Sequence, residues 1–124
     1  MITAALVVAP ILVQAGAATK TQEEAVKRLL QNYQKAIETK DLSLFRSVKP
    51  SLSGEEERRL RKAFDSTRTH EVSITLEGLE CQEGQCLARL TRRDTLDGSI
   101  VSSFPQTLRI APGPEGFVID EIGR

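Results

Sequence analysis

The sequence predicts an α+β domain in which three N-terminal helices pack on a curved four-stranded antiparallel sheet, forming a cone-like roll. Three observations carry this. An apolar stripe at Val26, Leu29, Leu30, Tyr33, Ala36 and Ile37 repeats at helical spacing. Two capping residues, Asp41 and Ser53, each open a further short helical segment. After His70 the apolar residues switch to a period of two, in segments separated by Glu83-Gly84, Asp97-Gly98 and Pro112-Gly-Pro-Glu-Gly116. Helices first and hairpins afterwards is the α+β order.

A chain of 124 residues holds one domain with one core. Charged residues make up 27% and the formal net charge is zero, which argues against a general nucleic-acid binder. There is no Trp, and the aromatic residues are Tyr33, Phe45, Phe64, Phe104 and Phe117. Aliphatic side chains must therefore supply most of the core, and a site built by stacking on several exposed rings lacks the rings.

Residues 1–18 are uncharged and apolar. The run is shorter than the roughly 20 residues a bilayer-spanning helix needs, and Pro10 interrupts it. Its length fits the core of an export signal, and Ala15-Gly16-Ala17 offers a small-x-small cleavage pattern, although no basic residue precedes it. The expectation is a signal-like leader or truncated anchor, with a loosely docked tail as the alternative. The folded domain is expected over 19–124.

Thr21-Gln-Glu-Glu24 reads as a capping box for the first helix, which is expected to run to about Lys40. Asp41 caps a second helix edged by Leu42, Phe45 and Val48 and stopped by Pro50. Ser53-Gly-Glu-Glu56 is a second capping box, and Leu60, Ala63 and Phe64 are the expected core contacts of the third helix. Its acidic first turns followed by Arg58, Arg59, Arg61 and Lys62 complement the helix dipole and read as a solvated face. The alternative is a basic patch for an acidic partner or lipid headgroups.

Val72, Ile74 and Leu76 alternate along the first long strand, whereas Leu79 and Cys81 take the opposite parity. A bulge at Gly78-Leu79 returns both sets to one face. Cys86, Ala88 and Leu90 line the second strand, and Phe104, Leu108 and Ile110 the third. Pro105 marks an edge position or an irregularity in that strand. Phe117, Val118, Ile119 and Ile122 close a meander with one helix-covered face and one open face.

With Glu83-Gly84 as a two-residue loop, Cys81 faces Cys86 at a non-hydrogen-bonded pair, close enough for a disulfide. Export favours the bond, whereas a reducing cytosol favours two small buried thiols. Two cysteines and a single His70 provide no zinc-finger spacing, so no metal and no cofactor are expected.

No phosphate loop, paired-His motif or nucleophile elbow is present. His70, at a helix-to-strand junction beside Glu71, is the lone imidazole and a weak catalytic candidate. Tyr33 follows the buried stripe into the cup, where its hydroxyl needs a partner and could serve a developing oxyanion. Asp94 and Asp97 flank a turn, where carboxylates serve local purposes, and Asp120 opposes the parity of Phe117 and Ile119.

The stretch Tyr33-Gln-Lys-Ala-Ile-Glu-Thr-Lys-Asp41-Leu42, then Phe45, and the later Thr107-Leu-Arg-Ile110 and Gly116-Phe-Val-Ile-Asp-Glu-Ile122 resemble the nuclear-transport-factor-2-like superfamily, with its SnoaL-like and ketosteroid-isomerase-like domains. The resemblance covers about residues 21 to 123 and rests on element order and loose motifs. It implies a curved, cystatin-like sheet wrapped around a long first helix. It also implies roles ranging from small-molecule enzymes and ligand binders to dimerisation modules and accessory domains of exported or membrane-associated bacterial proteins. Tyr33 falls where isomerase-like members place an oxyanion tyrosine. The carboxylate base those members require is missing from Lys49-Pro50-Ser51-Leu52-Ser53, and Phe104, Leu108 and Ile110 supply no acidic donor. Dehydratase-like members use inward His and Asp residues, which His70 alone does not reproduce.

The leading expectation is a non-enzymatic accessory or interaction domain, periplasmic, secreted or membrane-associated, and otherwise cytoplasmic. Its partner would be another protein or a second copy meeting the open sheet face, and its N-terminal segment could associate with a membrane. One alternative is a binder of a small apolar ligand in a pocket of Leu30, Tyr33, Ile37, Val72, Ile74, Phe104 and Phe117. The other is a small-molecule isomerase or lyase using Tyr33.

Overall fold

The structure, a computed structural model, describes residues 16–124. Its elements are β1 (Gly16–Ala17), α1 (Lys20–Glu38), α2 (Leu42–Val48), α3 (Gly54–Ser66), β2 (His70–Gln82), β3 (Gln85–Leu96), β4 (Ile100–Gly113) and β5 (Gly116–Gly123). The four long strands form the expected antiparallel meander in chain order. A fifth, two-residue strand joins its edge, as β1 pairs Gly16 with Cys81 and Ala17 with Glu80. The leader expectation for 1–18 falls, through residue 15, outside the described residues. Among the described residues no helix is long and apolar enough to cross a membrane.

Capping sets the helix boundaries. Thr19, not Thr21, is the N-cap of α1: its hydroxyl accepts from Gln22 N at 3.0 Å, and Gln22 Oε1 accepts from Thr19 N at 2.9 Å. Two overlapping capping patterns fit the sequence, and the chain uses the earlier one, directly after β1. The helix stops at Glu38 because Lys40 takes a left-handed φ of 55°, letting Asp41 N donate to Ala36 O at 2.9 Å. Asp41 then accepts from Leu44 N at 3.0 Å and opens α2. Ser53 and Glu56 cap α3 reciprocally as expected. The Ser53 backbone N–H is the main cause that holds the Glu56 carboxyl below its ordinary range. Ala63, expected in the core, is exposed. Helix α3 meets the cup along the line of Leu60 and Phe64, and only Phe64 is fully buried.

The β2 bulge lies one residue before its expected place. Glu77 is the extra residue, between the pairs Leu76–Leu90 and Gly78–Arg89. It brings Leu79 and Cys81 onto the inner face already occupied by Val72, Ile74 and Leu76. Asp120, exposed, is the extra residue of a second bulge in β5. The first hairpin turns on Glu83 and Gly84, both at positive φ (54° and 81°), which leaves Cys81 opposite Cys86. The two are bonded, with S–S 2.05 Å and Cα–Cα 4.0 Å. Pro105 sits in an internal strand and not an edge strand, but β5 ends opposite Thr107, so β4 has a free side at the proline. The α1 stripe lies over Leu90, Leu108, Ile110 and Ile119, all buried.

Candidate functional site

Along the inner face of β3 the side chains change character. Cys86, Ala88 and Leu90 are apolar and buried; Arg92 and Asp94 follow at the same two-residue spacing and so face the same way. Helix α1 brings Tyr33 over this boundary. Arg92 donates Nε and Nη2 to the two carboxylate oxygens of Asp94, each at 2.6 Å. It donates Nη1 to the Tyr33 hydroxyl at 2.8 Å. Since arginine only donates, the tyrosine proton is free to go elsewhere, and it goes to Gln106 Oε1 at 3.1 Å. On the far side His70 Nε2 lies 2.7 Å from Asp94 Oδ2. An ionised Asp94 only accepts, so that nitrogen carries the proton. One hydrogen-bonded chain thus runs from Gln106 on β4 through Tyr33 on α1, Arg92 and Asp94 on β3, to His70 on β2.

The surroundings are dry. Tyr33 is 1% exposed, and the side chains of Arg92, Asp94 and His70 are 13%, 9% and 9% exposed. Burial pushes the Asp94 carboxyl up, but hydrogen bonds from Arg92 and His70, with their charges, outweigh it and hold the group below its ordinary range. For Arg92 burial works against the charge, and the contacts with Asp94 and Tyr33 more than restore it. The guanidinium also lies between two rings, 5.6 Å from the centroid of Tyr33 and 5.5 Å from that of Phe104. A second guanidinium, Arg124, lies 4.3 Å from the Phe104 centroid. Among the described residues, Thr67 Oγ1 and His70 Nδ1 are the buried side-chain atoms without a partner. No group of three or more His, Cys, Asp or Glu side chains is placed among those residues to hold a metal ion.

Of the residues expected at a site, Tyr33 and His70 enter this chain, and Ile74 and Phe104 flank Arg92 as its direct cross-strand neighbours. Leu30, Ile37 and Val72 are packed into the core. Phe117 lies elsewhere, bordering a cleft with Leu29, Val48 and Pro114. The aliphatic core is interrupted by this polar chain. Arg92 and Gln106 went unrecognised, and Asp94, expected to serve its turn, is itself only 6% exposed and is ion-paired with Arg92. The signal was in the strand parity. Arg92 and Asp94 continue the Leu90 face, and Gln106 stands between Phe104 and Leu108 at their parity.

A cone of helices and a curved sheet, with a tyrosine from the first helix meeting polar groups on the inner strands, defines a class of fold before any comparison. Solved structures agree. The chain superposes on Bd1075 of Bdellovibrio bacteriovorus with TM-score 0.71 and 14% identity, over 93% of this chain and 47% of that one. The chain therefore spans about half the length of that protein. It superposes on Kfla4162 of Kribbella flavida with TM-score 0.72 and 14% identity, covering 84% of this chain and 89% of the other. A candidate dehydratase of the nuclear-transport-factor-2-like family from Streptomyces avermitilis gives TM-score 0.68 and 15% identity, over 85% and 96% of the two chains. No family model and no curated protein matches the sequence. The fold is the nuclear-transport-factor-2-like one, and at these identities the likeness extends to the fold alone.

Proposed function

We propose that this is a non-enzymatic accessory or interaction domain whose interior polar chain braces the cup. One observation carries the reading: the groups that catalysis would need are already engaged with one another. Both Asp94 oxygens accept from Arg92, and the Tyr33 hydroxyl accepts from Arg92 while donating to Gln106. An oxyanion donor must have its proton free for the substrate, and here Gln106 holds it. The buried Cys81–Cys86 bond supports an oxidising compartment, hence an exported or membrane-associated protein. The open face of the sheet, with Leu87 and Val101 exposed among Arg89, Arg93 and Arg109, is the surface proposed to meet a second copy or another protein.

Tyr33 is the sole tyrosine, so its hydroxyl proton can be followed without ambiguity by NMR. A bracing role predicts a resolved hydroxyl resonance that exchanges far more slowly than a free phenol. Exchange at the solvent rate would mean an open chamber at Tyr33 and would sink the reading. A specific geometry favours a second reading. The 2.7 Å His70–Asp94 contact, beside Tyr33, supplies the inward carboxylate that the sequence did not offer to His70. A lyase or isomerase would then show turnover that Tyr33→Phe removes from a still-folded protein.

A further inference from the structure

The polar chain has one end that the brace does not use. Gln106 is 7% exposed, and its carbonyl oxygen is fixed by the Tyr33 hydroxyl, which turns the amide nitrogen the other way. That nitrogen donates to nothing within the described residues, yet it is not among their fully buried orphan atoms, so it keeps a path to the outside. Arg92 commits one N–H from each of its three nitrogens, leaving one uncommitted N–H on each terminal nitrogen. The uncommitted groups of Gln106 and Arg92 are therefore all donors, and the Asp94 carboxylate beside them has both oxygens engaged. Arg92 and Asp94 cancel in charge, and the Arg124 guanidinium places a further positive group over the Phe104 ring.

The walls are apolar. Ile74 and Phe104 stand on either side of Arg92, both half-buried. Beyond them the inner face of the β3–β4 hairpin is uncovered: Ile100 has inner parity through its pairing with Leu96, and it is 60% exposed. An occupant of this mouth needs acceptor oxygens with negative charge at one end and a flat apolar body at the other.

We propose that the mouth of the cup is a recognition site for a small organic carboxylate with a planar apolar body. Its oxygens take the Gln106 amide and the spare Arg92 donors, and its body lies against Phe104 and Ile74. The site requires no chemistry from Tyr33, so it goes beyond the bracing role and stands whether or not the sheet face binds a partner.

Benzoate is the probe, titrated into the full chain and followed by amide NMR, with acetate, phosphate, benzyl alcohol and benzylamine as comparisons. Saturable shifts from benzoate are expected at the Gln106 side-chain amide, Arg92 Nε–H and Phe104. Benzyl alcohol and benzylamine should produce none there, and acetate should bind more weakly. Gln106→Glu keeps an acceptor for Tyr33 while replacing the free donor with negative charge, and should weaken benzoate about tenfold or more. Phe104→Ala should weaken benzoate about fivefold with little change for acetate. The same spectra report whether each variant is folded, and the second variant leaves the polar chain intact. Absence of localised shifts, an equal response to benzyl alcohol, or full affinity in folded Gln106→Glu would overturn the proposal. Equal or tighter binding of phosphate would overturn the organic ligand in favour of an inorganic anion.

Discussion

The two ends of the cup share one sheet and one inner face, yet they are held by different physics. At the disulfide end Cys81, Cys86, Ala88, Leu108, Ile110 and Ile119 are sealed in one core with the α1 stripe. Two residues further along β3 the same face carries Arg92 and Asp94, and α1 answers with Tyr33. The apolar end gains from area removed from water, which has no direction and tolerates a reshaped side chain of similar volume. The polar end gains only while every partner is in place, because an ion pair that loses one member leaves a buried charge. Shape alone sets the first end, and identity, atom by atom, sets the second.

The two ends diverge most in Asp94→Asn, which preserves shape and removes charge. It should cost about 3–5 kcal/mol in urea unfolding at neutral pH, because Arg92 keeps its charge without a counter-ion. A cost below about 1 kcal/mol would mean that the pair is solvated. The sign with pH follows from the depressed carboxyl of Asp94. Its contribution is complete above the unfolded carboxyl pKa of about 3.9 and is lost as pH falls through the lower folded value, so the parent should lose stability in strong acid through a step that the variant lacks.

At the other end Leu108→Ala should cost about 2–5 kcal/mol, while Leu108→Met should cost under about 1.5 kcal/mol. That tolerance has no counterpart at Asp94. If the methionine were as damaging as the alanine, the apolar end would be as exacting as the polar one. Opening the Cys81–Cys86 loop with paired serines should remove about 2 kcal/mol, since the closed loop is short. Reductant should lower the thermal midpoint of the parent and leave the serine variant unchanged. Tyr33→Phe should cost about 1–2 kcal/mol, from an acceptor at Gln106 and a donor at Arg92 left unpaired. Its coupling to Asp94 in a double-mutant cycle should be measurable, whereas its coupling to Leu108 should be close to zero.

The fold was largely legible because its signals are local. The α1 stripe, the Asp41 and Ser53 caps, the Glu83-Gly84 turn and the facing cysteines each lie within a few residues, and all appear in the structure. Boundaries were less legible where two local patterns competed, as with Thr19 and Thr21, or where one residue decides, as with Lys40 in the left-handed region. Of the site, Tyr33 could be placed in the cup from its helix face. Its partner Gln106 is 73 positions away, and Arg92 and Asp94 look like ordinary surface charges next to Arg93 and a turn.

By itself the sequence determined the order of elements, the inner face of each strand and the disulfide register, because helical and strand periods and turn chemistry act over short range. The assembled fold sets where the inner face of β3 meets α1 at Tyr33, lets His70 reach Asp94 on the neighbouring strand, and leaves the Arg92 side chain only 13% exposed within its ion pair. The reason is physical: a charged side chain takes its meaning from the charges and dipoles around it. In this cup those come from four different elements, β2, β3 and β4 joined by strand pairing and α1 packed over their inner face.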